Sequence, residues 1–234
     1  VIDTSYVYID TELKASKLIK VLARISPTLI PFDIETTGLD PHSDDILLIQ
    51  FRLLKTETNY IINCRRVAWE QQFNILKLLY RNGDGVLLGQ NLKFDLSFIL
   101  VNFPDLYFDN VRDTMIIEQL LTNGLSFKGA GLADLAKKYL MGVELDKTVT
   151  KEFIGYKKDT FSKKLLKYSA EDIDVLFPIY QIQSEHVSKM KLTFIIDIEC
   201  RTVPALAKLQ VDGIYVDHKK WQQNENIARD TRLL

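Results

Sequence analysis

The chain has 234 residues, 47% hydrophobic and 26% charged, a balance that excludes a disordered or collagen-like polymer and a length that accommodates one large domain or one and a half smaller ones. Thirty basic and 31 acidic residues leave a formal net charge of −1, so a nucleic-acid partner would have to meet a local basic surface rather than the field of the whole molecule. Cys64 and Cys200 form no C-x-x-C pair, which argues against a zinc site or a disulfide framework and for reduced thiols inside a cell. No apolar run approaches the roughly 18 residues of a membrane span. Acids stand at the N-terminus where a signal peptide needs a basic and then an apolar stretch. The initial Val raises the expectation that the sequence was cut from a longer one.

Residues 12–24 read as an amphipathic helix, with Leu18, Ile19 and Leu22 at helical spacing and Pro27 as its stop. Residues 29–35, LIPFDIE, read as a strand followed by a turn cluster at 37–41. Residues 45–53 and 58–62 read as two further strands, whose short connections favour antiparallel neighbours. A helix over 69–80 closes at Arg81-Asn82-Gly83. Residues 86–89 form a short, wholly apolar strand suited to the middle of a covered sheet, and a helix over 94–101 stops ahead of Pro104. Beyond Asp113 the pattern predicts helices over 114–121, 132–140, 163–190 and 192–209. Strands interleaved with helices, then a helical second half, predict an α/β fold with helices covering a sheet. The one charge run, residues 151–167, sets Lys151, Lys157, Lys158, Lys163, Lys164 and Lys167 against Glu152 and Asp159. It reads either as a solvated helix face or as a surface for phosphates.

Four acids stand where acids are costly. Alternation along a strand puts Ile30, Phe32 and Ile34 on one face and Asp33 and Glu35 on the other, the two acids roughly 6–7 Å apart. Either Glu35 opens the turn and Asp33 caps it, or a cation offsets their repulsion, and oxygen ligands of this kind suit Mg²⁺ or Mn²⁺. On the long helix Asp172 projects into an apolar stripe of Leu165, Leu176 and Ile179, with Tyr168 one turn earlier on the same side. Glu171 and Asp174 fall towards the polar face and read as surface acids. A carboxylate placed like Asp172 needs an internal hydrogen bond from Tyr168, a buried lysine, or an ion. Asp95 follows an apolar strand and a Gln90-Asn91 turn, in the first turn of a helix, where the dipole favours an acid.

In chain order, Phe32-Asp33-Ile34-Glu35-Thr36-Thr37-Gly38-Leu39, Asn91-Leu92-Lys93-Phe94-Asp95 and Tyr168-Ser169-Ala170-Glu171-Asp172 resemble the three exonuclease motifs of the DEDD superfamily of 3′–5′ exonucleases. Tyr168, four residues before the last acid, resembles the tyrosine subclass, DEDDy; the other subclass has His where position 167 here is Lys. Over residues 1–190 the resemblance is to the proofreading domain of family-A, polymerase I-type DNA polymerases, and residues 201–217 are similar to the stretch that leads into the polymerase domain. The division this implies is an exonuclease domain at 1–190, then a helical linker and the start of a polymerase domain at 191–234.

The resemblance implies a ribonuclease H-like α/β fold of three layers, a central mixed β-sheet flanked by helices, with the strand of Asp33 and Glu35 in its middle. It implies metal-dependent removal of nucleotides from the 3′ end of single-stranded or frayed DNA, by phosphodiester hydrolysis with two divalent ions, Mg²⁺ or Mn²⁺. Asp33 would bridge the ions, Glu35 and Asp172 would complete the first position, Asp95 would support the second, and Tyr168 would hydrogen-bond the attacking water. Thr36 and Leu39 would meet the terminal nucleotide and Asn91 would help hold the strand. Phe153 and Tyr156, beside the lysines, are candidates for stacking on bases or for the core. His42, His186 and His218 read as surface residues. The implied partners are a single-stranded DNA 3′ end and the polymerase domain of the same parent chain, in a monomer with no membrane contact. The expected place is intracellular: cytoplasm or nucleoid for a bacterial or phage source, the lumen for an organellar one. The rival readings are a free-standing exonuclease that trims RNA ends and an inactive nucleic-acid-binding module of a polymerase.

Overall fold

A computed structural model describes residues 4–25, 28–80, 85–123 and 129–232. Its strands β1 (Tyr6–Ile9), β2 (Leu29–Thr36), β3 (Ile46–Leu53), β4 (Thr58–Asn63), β5 (Val86–Gly89) and β6 (Val111–Asp113) form one sheet in the order β1-β4-β3-β2-β5-β6. The short links around β3 make β2, β3 and β4 antiparallel neighbours, as expected. The pairs β1–β4, β2–β5 and β5–β6 are parallel, and the parallel neighbours β5 and β6 are joined through a helix, α3 (Leu92–Asn102). β2 lies between β3 and β5, inside the sheet. Its Pro31 is tolerated there because the ladder with β3 begins only at the next residue, with Phe32 opposite Phe51.

Helices cover both faces. On one, α1 (Glu12–Leu22), α2 (Trp69–Leu79), α3 and α7 (Thr193–Asp212) pack Leu18, Leu76, Phe98 and Val203 against Phe32, Ile49, Phe51 and Ile62 of the sheet. On the other, α6 (Lys163–Lys189) and α5 (Leu132–Tyr139) pack over Leu47, Leu48, Ile61 and Leu88. α4 (Thr114–Leu121) lies against α6 and α7. This is the three-layer α/β arrangement with a central mixed sheet that the sequence predicts. Caps set the helix starts: the side chains of Thr11, Asp113 and Ser162 accept from the first-turn N–H groups of α1, α4 and α6.

Three elements go beyond the sequence reading. β1 and β6 have four and three residues, too few to show a period. α8 (His218–Arg232) buries none of its residues and leaves Trp221 and Ile227 exposed, so no core-facing stripe announces it. Pro27 and residues 81–83, the expected helix stops, lie outside the described residues. The charge run is only partly helical: it begins in a 3₁₀ turn at Val149–Glu152 and enters α6 at Lys163.

Asp174 corrects one expectation. It is buried, accepts hydrogen bonds from Arg52 of β3 and Asn59 of β4, and so clamps α6 to the sheet instead of facing water. The helix is enclosed on several sides at once, by the sheet, α4 and α5, which narrows the polar face of its first half to Lys163, Lys164, Lys167 and the half-exposed Glu171 and takes Asp174 inside. Among the described residues no helix is long and apolar enough to cross a membrane.

Candidate active site

β2 delivers the first two acids. The strand runs on through Thr36, so Glu35 does not open the turn and the alternation holds: Ile34 enters the core while Asp33 and Glu35 face α6. From α6, Asp172 meets the pair, and one carboxylate oxygen from each of Asp33, Glu35 and Asp172 lies within 4.8 Å of the others. Asp95 approaches from α3. It is buried, its Oδ1 accepts the Ile34 N–H at 3.1 Å, and it feels the charge of Asp33 although it stands outside the three-oxygen cluster.

The turn ahead of α3 is held by Asp113. Asn91 adopts a left-handed conformation, φ 58°, which asparagine tolerates. Its N–H and that of Leu92 donate to the Asp113 carboxylate, at 3.0 and 2.7 Å, and the same carboxylate caps α4. One buried side chain thus ends β6, starts α4 and fixes the entry to the helix of Asp95.

Burial and crowding push every acid of the site upward. Asp33 is raised to about 7 by burial and then by the Asp172 charge. Glu35 is raised well above the usual range by burial, then by Asp33 and Asp172. Asp95 is raised by burial and then by Asp33, and Asp172 by burial, against the opposing pull of Lys147. The Tyr168 phenol is driven up by burial and by the charges of Asp172 and Glu35, so it keeps its proton.

A lysine is one of the partners the sequence allows for Asp172, and the structure supplies it as Lys147; the other groups that steady these acids go unread in the sequence. Gln50 of β3, directly opposite Asp33, donates through Nε2 to Asp33 at 2.8 Å and to Glu35 at 3.4 Å. The signal was a single amide in the apolar strand ILLIQFRL. Ser169 donates to Glu35 at 3.2 Å. Lys147, from the loop after α5, donates to both Asp172 oxygens at 3.0 and 2.8 Å and to the Tyr168 hydroxyl at 3.1 Å. A lysine in a loop carries no local mark of such a role. Thr150 shares a hydrogen bond of 2.7 Å with the same hydroxyl.

The remaining candidates divide. Leu39, in the turn after β2, is 79% exposed, which removes core packing as its reason. Asn91 is also exposed, with its side chain uninvolved in capping. Thr36 is buried, and its hydroxyl is already donated to the Gly38 carbonyl. Phe153 is a correction: it is 1% exposed and packs beside Phe161 and Tyr168, so it is a core residue and no platform for a base. Tyr156 stacks on Phe161 at 5.1 Å, with its hydroxyl given to the Thr160 carbonyl. The loop carrying both rings is tied to the turn after β2, where the Gly155 N–H donates to the Thr37 carbonyl at 2.8 Å. Gly155 makes that bond at φ 64°, a conformation that a side chain would strain. His42, His186 and His218 are exposed, as expected.

The acids fit a divalent cation. All the donors are oxygens, and ligands at 2.0–2.6 Å from one hard ion stand at most about 5 Å apart, the span found for Asp33, Glu35 and Asp172. Burial and mutual repulsion oppose the ionised forms of these three carboxyls, and a divalent cation would offset both.

Comparison with known proteins points the same way. Over 228 residues the chain is 28% identical to DNA polymerase I of Borreliella burgdorferi, covering 92% of this chain and 24% of that protein. A second relative, DNA polymerase I of Pseudomonas aeruginosa, is 23% identical over 210 residues, 81% of this chain and 22% of that one. The chain therefore spans about a quarter of the length of the curated relatives it matches. The fold is similar to that of Escherichia coli RNase D, described as an exoribonuclease involved in structured RNA processing, with a TM-score of 0.73 and 20% identity over 95% of this chain and 54% of that one. Residues 6–187 match the model of the 3′–5′ exonuclease domain of A-type DNA polymerases. With that pattern running across the sheet and the helices that carry all four acids, the chain belongs to the 3′–5′ exonuclease family of the DNA polymerase A type.

Proposed function

We propose that the chain removes nucleotides from the 3′ end of single-stranded or frayed DNA, as the proofreading part of a polymerase, with two divalent ions, Mg²⁺ or Mn²⁺. The observation that carries this reading is the convergence of Asp33, Glu35 and Asp172 within 4.8 Å. Two bound ions supply a more acidic water and a counter-charge for the leaving oxygen. Asp33 belongs to the cluster with Glu35 and Asp172 and its charge also reaches Asp95, which suits it to be the shared ligand. Glu35 and Asp172 complete one position and Asp95 supports the second.

Tyr168 orients the attacking water as a protonated phenol, since the charges around it oppose its ionisation. Tyr168→Phe is expected to lower kcat about 10–100-fold with KM unchanged, the usual scale for a group that steadies a metal site's reactants. Initial rates across a range of oligonucleotide concentrations separate the two constants. Leu39, exposed in the turn after β2, is suited to wedge against the terminal base. The exposed Lys151, Lys157 and Lys158, around the loop tied to Thr37, are suited to phosphates. A site that takes one frayed strand would favour mismatched ends, because they melt more readily.

DNA as the substrate is supported by the polymerase I relatives. Within residues 191–234, α7 buries Ile196, Cys200, Val203 and Ala207 in the core and so packs with the exonuclease layers, whereas the exposed Tyr215 and Trp221 beyond it leave apolar surface suited to a polymerase domain. An RNA end is the second reading, favoured by the likeness to RNase D. Incubating 5′-labelled single strands with Mg²⁺ tests both. Stepwise shortening of DNA from the 3′ end, faster than of the matching RNA, is expected. The reverse ranking overturns the DNA reading, and no shortening of either strand overturns the exonuclease reading.

A further inference from the structure

We propose that Lys147 is an internal counter-cation that holds Asp172 in place until a divalent ion arrives and is displaced when it does. The inference rests on the metal site proposed above.

The ammonium group donates to both Asp172 oxygens, at 3.0 and 2.8 Å, and to the Tyr168 hydroxyl at 3.1 Å. Its side chain is 38% exposed while that of Asp172 is 6% exposed, so the lysine reaches in from the rim and has a way back out. It comes from a loop, not from a helix or strand that would hold it rigidly. Asp172 offers the cluster the same carboxylate that it offers Lys147. An ion using an Asp172 oxygen and an ammonium group bonded to both compete for the same lone pairs. They also repel each other at such range.

The arrangement has a physical rationale. Without a cation, Asp172 would be a buried carboxylate beside two others, and the helix carrying it would be pushed from β2. Lysine is suited to the task because its ammonium is a point charge on four flexible carbons, able to leave without moving the backbone. Tyr168 shares the same donor, so release of Lys147 also frees a lone pair on its hydroxyl, in the place where the proposed water would sit.

Calorimetric titration with Mn²⁺ tests the exchange on the whole chain, in the absence of DNA. Lys147→Met is expected to bind Mn²⁺ about tenfold more tightly than the parent, within the usual range for two coupled ligands. Lys147→Arg, which keeps the charge, is expected to stay within about threefold of the parent. Thermal melting in EDTA should show Lys147→Met to be less stable than the parent, with saturating Mn²⁺ closing the gap. A lysine that leaves the ion's ligands undisturbed would alter the melting but not tighten the metal. Unchanged or weaker Mn²⁺ affinity in Lys147→Met, with normal binding by the parent, overturns the exchange and leaves the metal site standing. Absence of Mn²⁺ binding in both parent and variant overturns the metal site and the exchange together.

Discussion

Replacing Asp33 by alanine is expected to lower the rate of 3′-end removal on the order of 10³-fold, about 4 kcal/mol of transition-state stabilisation, while raising the melting temperature of the metal-free chain. Both effects have one cause. Asp33 lies within 4.8 Å of Glu35 and Asp172, and its charge also reaches Asp95. Burial and the Asp172 charge lift it to about 7. A group so crowded is a cost to the fold in the absence of a cation, and the proposed ion-holding role accounts for its presence. Removing it relieves the repulsion and removes the proposed shared ligand. Gln50 loses one acceptor but keeps Glu35 within reach, so the variant should fold. Rates on a labelled oligonucleotide and melting in EDTA check the two halves separately. A variant of undiminished activity would place the chemistry elsewhere, and one that melts lower would show that Asp33 is better satisfied than its neighbours imply.

Removal of divalent ions should have an effect as large, and it should change how stability depends on pH. With EDTA, activity is expected to vanish and to return with excess Mn²⁺. In that metal-free state the unfolded chain ionises Asp33 near its ordinary 3.8, while the folded chain holds the proton up to about 7. Between those values the folded state binds more protons, so stability falls as pH rises through the window and the loss is complete above about 7. Glu35, Asp95 and Asp172 are shifted in the same direction and add to the slope. Saturating Mn²⁺ should flatten this part of the profile, because it pairs with the ionised form. Melting at pH 5 and pH 8, with and without the ion, is the check. A metal-free chain that melts higher at pH 8 than at pH 5 would contradict the electrostatics of the cluster.

Much of the fold was legible because its core elements have clear periods. The apolar run at 86–89 and the strand–turn–strand spacing around β3 yielded the interior of the sheet. Alternation placed Asp33 and Glu35 on one face of the strand but left two readings open, and the resemblance across the three motifs singled them out as ligands. Asp172 was legible as an acid within an apolar stripe. Its partner was not, because Lys147 lies 25 positions away in a loop and its bond to Asp172 is purely tertiary. The same holds for Asp174, whose burial depends on Arg52 and Asn59 from two different strands. Phe153 was ambiguous for a different reason. An aromatic ring beside lysines looks the same in sequence whether it stacks on a base or fills a core, and only its packing against Phe161 and Tyr168 separates the two.

The tie between the Gly155 amide and the Thr37 carbonyl joins peptide to peptide. Mutation of neighbouring side chains therefore leaves both of its atoms in place, and only a change at the glycine itself threatens it. The side chains around the two loops can therefore change while the distance between the loops stays fixed, so side-chain chemistry and loop spacing are carried by different atoms of the same few residues.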